Sequence, residues 1–312
     1  MEKNARIYVA GHTGLVGGAF VRKLREAGYD NLILKSHQEL DLIDQRAVEE
    51  FFETEKPEYV IDAAARVGGI KANSAAPAEF FYENMQMEQN LIWSAFRHGV
   101  KKFLFLGSAC MYPKECAQPM KEEEILTGLP EYTNEGYAIA KIAGSRLCSY
   151  INREYGRAFI SAVPANTYGI GDSFDPEHCH VIPALIMKYH KAKVNGDKQV
   201  VLWGTGMALR EFIYNDDIAS AGIFLLENYD GEKPVNVGTG EEVSIYELSS
   251  LIKEMTGFSG EIVTDPTKPD GMMRRLCDSA MINDMGWKSS VSLKQGLKTL
   301  YDWYFAHSAE NS

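Results

Sequence analysis

Three side chains in the first half of the chain have the types and spacing of a carbonyl-reduction site. Tyr137 and Lys141 stand four residues apart in a run, 135–155, whose periodicity predicts a helix, so both lie on one face. Ser108 follows the apolar run 103–107, which reads as a strand. A lysine charge beside a phenol favours the ionised form and lowers its pKa. Such a phenol exchanges a proton with a carbonyl or carbinol oxygen while hydride moves. A serine hydroxyl can hold that oxygen. Met singly, the same residues would be a packed ring beside a solvated amine; together, in this order and on these elements, they argue for chemistry.

A place for the hydride carrier lies near the N-terminus. Gly11-His12-Thr13-Gly14-Leu15-Val16-Gly17 comes directly after the predicted strand 6–10 and opens the predicted helix 14–28. In this pattern Gly11 permits a tight turn, Gly14 lets backbone approach a pyrophosphate, and Gly17 allows close packing of helix on strand. The helix N-terminus then faces phosphate with free N–H groups. The end of the second predicted strand, 31–35, bears on which dinucleotide. An NAD enzyme usually places Asp or Glu there for the ribose 2′-hydroxyl. This chain has Lys35-Ser36-His37-Gln38 before the first acid, Glu39. A cation and small polar groups suit a 2′-phosphate better, which favours NADP(H); an ordinary solvated loop is the alternative.

These groups need a scaffold that gathers them. Strands at 6–10, 31–35, 59–63, 103–107 and 158–163 alternate with helices at 14–28, 44–55, 77–98 and 135–155. That alternation predicts an α/β fold of the Rossmann type: a doubly wound parallel sheet with helices on both faces. Right-handed crossovers bring the carboxyl ends of its strands to one edge, where ligands bind. After Pro164 the alternation breaks at Gly169, Gly171, Pro176 and Pro183. A helix at 181–193 follows, then a strand end, turn and helix over 211–228, then helices at 244–257 and 292–306. The expected division is a dinucleotide domain, 1–165 plus about 212–237, and a smaller C-terminal α/β substrate lobe, about 166–211 and 238–312.

Composition sets outer limits. A chain of 312 residues, 45% hydrophobic, can bury a large core. Its net charge of −11 argues against nucleic acid and anionic membrane as partners. No apolar run approaches the ~20 residues of a membrane span. Met1-Glu2-Lys3-Asn4 enters the first strand at once, without room for a leader. The five Cys contain no CxxC, which fits reduced thiols and a cytoplasmic protein. His178-Cys179-His180 lacks a usual zinc spacing, so no metal is expected.

The set Gly11, Gly14, Gly17, Ser108, Tyr137 and Lys141 resembles the extended short-chain dehydrogenase/reductase superfamily, over the whole chain. Within it, GHTGLVG (11–17), AAARVGGI (63–70), LGSACMYP (106–113), NEGYAIAKIAG (134–144), HVIPALI (180–186) and LWGTG with REF (202–212) are similar to the GDP-L-fucose synthase family. Dehydratases of the superfamily carry an acid pair after the serine; Ala109-Cys110-Met111 has no carboxylate. The resemblance implies 3,5-epimerisation of a GDP-linked 4-keto-6-deoxy sugar and then NADPH-dependent 4-reduction, by a homodimer joined through 77–98 and 135–155. It makes Cys110 the base at carbons 3 and 5 and His180 the acid on the opposite face. If the strand continues, Ser108 and Cys110 point the same way. It also implies cofactor contacts from His12, Thr13, Leu15 and Val16, from Lys35, His37, Asp41 and Leu42, from Ala64 and Ala65, from Leu106 and Gly107, and from Pro164, Asn166, Thr167 and His180. Lys141 would hold the nicotinamide ribose. Lys188, Trp203, Arg210 and Asp270 would hold the GDP. Three positions depart from the family: Thr13 and His37 stand where Arg is common, and Ala109 where a second Ser is frequent. A simple 4-reductase or 4-epimerase on another nucleotide sugar, such as a GDP-6-deoxy-heptose, stays open on those departures.

Overall fold

The computed structural model describes residues 1–176, 179–268 and 270–308. The first half runs β1 (Ile7–Ala10), α1 (Leu15–Glu26), β2 (Leu32–Ile33), α2 (Gln45–Glu55), β3 (Tyr59–Asp62), α3 (Ile70–Ala75), α4 (Pro77–Arg97), β4 (Lys102–Leu106), α5 (Glu135–Tyr155) and β5 (Ala158–Pro164). The second runs β6 (Asn166–Tyr168), α6 (Val181–Asn195), β7 (Gln199–Trp203), β8 (Leu209–Tyr214), α7 (Asn215–Asn228), β9 (Val235–Val237), β10 (Glu242–Ser244), α8 (Ile245–Thr256), β11 (Glu261–Asp265), β12 (Arg274–Arg275), α9 (Ala280–Asp284) and α10 (Leu293–Ser308).

Six strands form one parallel sheet in the order β2-β1-β3-β4-β5-β9. The order reverses direction at β1, the switch point where a doubly wound sheet opens its ligand crevice. Strands such as β1 and β4 are buried along their whole length, as a sheet covered on both faces requires. One face packs Phe20 and Leu24 of α1 with Ile218 and Leu225 of α7. The other packs Phe51 and Phe52 of α2, Leu91 and Ile92 of α4, and Cys148 of α5. Each such side chain, fully buried, stabilises the fold by about 1.5–3 kcal/mol. Asp44 starts α2 by accepting from the N–H groups of Arg46 and Ala47.

The second lobe is centred on β8, which pairs antiparallel with β10 and parallel with β6 and β12. β7 and β11 form a separate parallel pair. Its core gathers Ile186 and Tyr189 of α6, Leu248 of α8 and Leu297 of α10. β8 is wholly part of this lobe's sheet, including residues 212–214, while the α7 that follows returns to the first sheet. Cys277, Ile282 and Trp287, late in the chain, also pack into the first core. The run 31–35 yields only a two-residue β2, because β1 alone flanks it. Among the described residues no helix is long and apolar enough to cross a membrane.

Candidate active site

The parallel sheet brings Gly11, Asp62, Gly107 and Pro164 to its carboxyl edge. Gly11 leaves β1 with φ +72, and a Cβ there would lie 2.7 Å from the Ala63 carbonyl oxygen. Gly14 caps α1 in extended conformation, with no side-chain cap and no acidic residue in the first turn. The N–H groups of Leu15, Val16 and Gly17 therefore present the positive end of α1. Beside them the Nδ1 of His12 is buried without a hydrogen-bond partner. A helix end uncapped by any side chain and an orphaned ring nitrogen fit an anionic dinucleotide.

Groups expected around that dinucleotide meet this edge in different states. Ala64 donates its N–H to Asp62 at 3.2 Å, with Ala65 next in the chain. Gly107, following Leu106, donates to Ala162 at 2.8 Å. Asn166 and Thr167, just beyond Pro164, donate to the carbonyls of Glu211 and Ala165 at 2.7 and 3.1 Å. The carbonyl of buried Leu42 accepts from Asn90 at 2.8 Å. At the end of β2, Lys35 is ion-paired with Glu55 at 3.3 Å, a partner the sequence did not reveal. Glu39 accepts from the N–H and hydroxyl of Ser36. His37 stands 81% exposed, 3.9 Å from Asp41. Thr13, in the loop itself, offers a hydroxyl where an arginine would offer charge.

The helix α5 presents Tyr137 and Lys141 one turn apart, with the ammonium 5.9 Å from the phenol ring centroid. Lys141 is 2% exposed, and its Nζ lies 3.1 Å from Oε1 of Glu88, itself buried in α4. Burial alone would push the Lys141 pKa down; the charges of Glu88, Tyr137 and Asp62 more than offset it and hold it above the usual lysine range. Burial pushes the Glu88 carboxyl up against the opposing pull of Lys141. Asp62 is pushed up to about 7 by burial, with Lys141 opposing and Glu88 reinforcing. Tyr137 is also raised, by burial first; Lys141 pulls it down, while Cys110, Glu88 and Asp62 push it up. The lysine does act in the expected direction, but burial and the acids outweigh it.

Ser108 and Cys110 differ from the extended arrangement. Ser108 caps a 3₁₀ turn over Ala109–Met111, and its Oγ accepts from the Cys110 N–H at 3.3 Å. The chain turns because Met111 folds back: its sulfur accepts from Ser108 N–H at 3.4 Å and would lie 2.7 Å from a Cβ on Gly107. Cys110 remains buried beside Ser108. Burial raises its thiol, while Ser108, Arg275 and Lys141 pull it back toward ionisation. His180 caps α6, without a side-chain hydrogen bond to the helix. Its outer side meets solvent, and the protein packed around the rest lowers its pKa. His178 lies outside the described residues.

The nucleotide-end residues gather mainly on the second lobe. Trp203 ends β7 with 67% of its surface exposed. The next residue, Gly204, passes beneath Asp270, where a Cβ would lie 2.3 Å from the carboxylate. Asp270 accepts from the N–H and hydroxyl of Thr205 at 2.7 and 2.8 Å. Arg210, in β8, has its pKa pushed down to about 10 by burial and by Arg275, with Asp270 opposing. β12 sets Arg275 in register with Arg210. Lys188, on α6 of the same lobe, donates to the Val201 carbonyl of β7. Among the described residues no group of three His, Cys, Asp or Glu side chains is placed to hold a metal ion. Glu88, Asp62 and Arg275 are the charged groups here that the residue patterns did not assign. The signal for Glu88 was its place with Asn84, Leu91 and Ala95 on the buried stripe of α4.

Residues 7–238 match the model of the NAD dependent epimerase/dehydratase family. The chain is 54% identical over 303 residues to GDP-L-fucose synthase 1 of Arabidopsis thaliana, covering 97% of this chain and 94% of that protein. The chain belongs to the GDP-L-fucose synthase family. This family member also superposes on a Campylobacter jejuni GDP-6-OMe-4-keto-L-xylo-heptose reductase with TM-score 0.94, at 39% identity, over 98% of this chain and 99% of that one. A GDP-L-fucose synthetase of Naegleria fowleri, solved bound to NADP, gives TM-score 0.91 at 28% identity, over 99% and 96% of the two chains.

Proposed function

We propose that this chain epimerises GDP-4-keto-6-deoxy-D-mannose at carbons 3 and 5 and then reduces carbon 4 with NADPH, forming GDP-L-fucose. One observation carries the reading: Ser108 and Cys110 form one turn at the end of β4, beside the Tyr137–Lys141 face of α5. That neighbourhood supports a reading in which a carbonyl clamp, a proton donor and a base surround one small volume. NADPH, when bound, supplies the hydride. Its pyrophosphate would lie at Gly14 and the start of α1, and Lys141 would hold the nicotinamide ribose.

In epimerisation Ser108 and Tyr137 hold the carbon-4 oxygen, which makes the neighbouring protons acidic. Cys110 removes those protons as a thiolate, and His180 returns protons on the opposite face. In reduction Tyr137 gives its proton to the oxygen. Arg210 and Arg275 meet the diphosphate, Trp203 offers a stacking face, and Asp270 accepts from ribose or base donors.

The second reading is a 4-reductase acting on a GDP-linked deoxy-heptose with Cys110 idle. The fit to the heptose reductase at TM-score 0.94 supports it, and the higher identity to a fucose synthase, 54% against 39%, favours the first. A homodimer is part of this proposal. Tyr82 and Trp93 on α4 and Ile139 and Tyr150 on α5 leave apolar surface exposed on two helices that pack side by side. The deciding experiment follows NADPH oxidation with GDP-4-keto-6-deoxymannose and identifies the product by NMR. GDP-L-fucose supports the first reading; an unepimerised alcohol, or turnover only with a heptose substrate, supports the second.

A further inference from the structure

Glu88 is an acid where the helix pattern calls for an apolar side chain. It lies on the inward stripe of α4 and is 1% exposed. Its carboxylate crosses to α5 and comes to rest beneath the Tyr137–Lys141 face, with Oε1 at 3.1 Å from the Lys141 ammonium. A cleft has been left for it: a Cβ on Gly144 would lie 2.7 Å from Glu88 Oε2 and 2.6 Å from the Phe105 ring. Any larger residue at 144 would close the path. The Phe105 ring also packs on the ammonium, with its centroid 4.7 Å away. Glu88 Oε2 has no hydrogen-bond partner, so Lys141, at Oε1, is the group that compensates this carboxylate.

We propose that Glu88 is a positioning residue for carbonyl reduction: it fixes the Lys141 ammonium from below and offsets its charge at Tyr137. This rests on the reduction reading given above. A reductase needs Tyr137 as a phenol, because the oxygen of carbon 4 takes the phenolic proton as the carbon takes hydride, and solvent then reprotonates the phenolate. An uncompensated buried ammonium would draw Tyr137 toward the phenolate, against the burial that keeps it a phenol. The groups that face Tyr137 are Lys141 on its own helix, Glu88 from α4, Asp62 from the end of β3 and Cys110 from the 3₁₀ turn. Lys141 is the cation of this set, and Glu88 is the acid paired with it. Asp62, with Oδ2 unpartnered, faces the same ammonium from the strand side.

The test compares pH profiles of kcat for NADPH oxidation in the wild type, Glu88→Gln and Glu88→Asp. Reduction fails as Tyr137 loses its proton, so kcat falls on the alkaline side, above the usual tyrosine range in the wild type because burial raises Tyr137. Replacing the carboxylate by an amide of the same shape should move that limb to lower pH by about one unit. Glu88→Asp keeps the charge but draws it back, so its limb should shift the same way by less. Coincident limbs in all three proteins, with altered melting temperatures only, would show a packing role and overturn the proposal. Should Glu88→Gln fail to fold, the Glu88→Asp limb decides in the same manner. Ultraviolet titration of tyrosinate, taken as the difference from the matching Tyr137→Phe protein, reads the same ionisation without turnover. A wild type that oxidises no NADPH with GDP-4-keto-6-deoxymannose would sink the reduction reading and leave this titration to decide Glu88.

Discussion

Gly17 and Gly11 are in backbone contact: a Cβ built on Gly17 would lie 2.1 Å from the Gly11 carbonyl oxygen. No rotamer change relieves that clash, since the backbone fixes the Cβ and the atom it meets is a main-chain oxygen. Gly17→Ala should therefore push the start of α1 away from β1. The expected result is a loss of about 1–3 kcal/mol in stability and at least about tenfold weaker NADPH binding, because the helix N-terminus moves from the phosphates. Thermal unfolding and isothermal titration measure the two. An alanine variant that binds NADPH like the wild type would show that this loop is not the phosphate site.

Lys35 offers a more modest test. Its ammonium is shared with Glu55 at 3.3 Å, so only part of its charge is available to a 2′-phosphate. Lys35→Ala should raise KM for NADPH several-fold, about 1 kcal/mol, and leave NADH nearly untouched. Equal damage to both cofactors would remove Lys35 from 2′-phosphate recognition. Glu55→Gln should act in the opposite sense, freeing the lysine and lowering KM for NADPH.

The proton donor gives the largest expected effect. Tyr137→Phe should lower kcat by roughly 10²–10⁴ while NADPH binding survives, since only the hydroxyl is lost. Lys141→Ala should harm both binding and turnover. It should also destabilise the fold, because Glu88 would be left as a buried, unpaired carboxylate. Near-normal turnover of Tyr137→Phe would sink the assigned mechanism.

The sheet was legible because its strands are short apolar runs separated by helices with clear starts; the expected helices at 135–155 and 77–98 lie over Glu135–Tyr155 and Pro77–Arg97. What local pattern hides is partnership across the chain. Nothing near Lys141 in sequence announces Glu88, fifty-odd positions earlier, and nothing near Lys35 announces Glu55. The 3₁₀ turn after Ser108 was missed for a related reason. Strand continuation is the default for Ser108-Ala109-Cys110, and it is the fit of Met111 against Gly107 that turns the chain. The sequence of β8 reads straight into α7, and its ladder partners β6, β10 and β12 lie far from it along the chain or carry no local signal of pairing.

Cys110 and His180 separate an epimerase from a simple reductase. Burial raises the Cys110 thiol above its ordinary value, against the opposing influence of Ser108, Arg275 and Lys141. The thiol form therefore predominates near neutrality, and only the thiolate removes a proton. With the pKa raised, the thiolate fraction grows as pH rises, so solvent deuterium uptake at carbons 3 and 5 should climb about tenfold per unit between roughly pH 6 and 8. Cys110→Ser should abolish that uptake and leave NADPH binding intact, since a serine hydroxyl is far too weak an acid to supply the base. With substrate at saturation, to set aside its contact with the diphosphate, Arg275→Met should reduce uptake at fixed pH by withdrawing positive charge from the sulfur. His180→Asn should slow completion of epimerisation, and reduction with it, because the unepimerised ketone presents the wrong face for hydride. The measurement is NMR of the keto sugar in heavy water, with and without NADPH, across that pH range. Wild-type uptake in Cys110→Ser would remove Cys110 as the base. Reduction by the wild type without any deuterium uptake would make the protein a keto-sugar reductase alone.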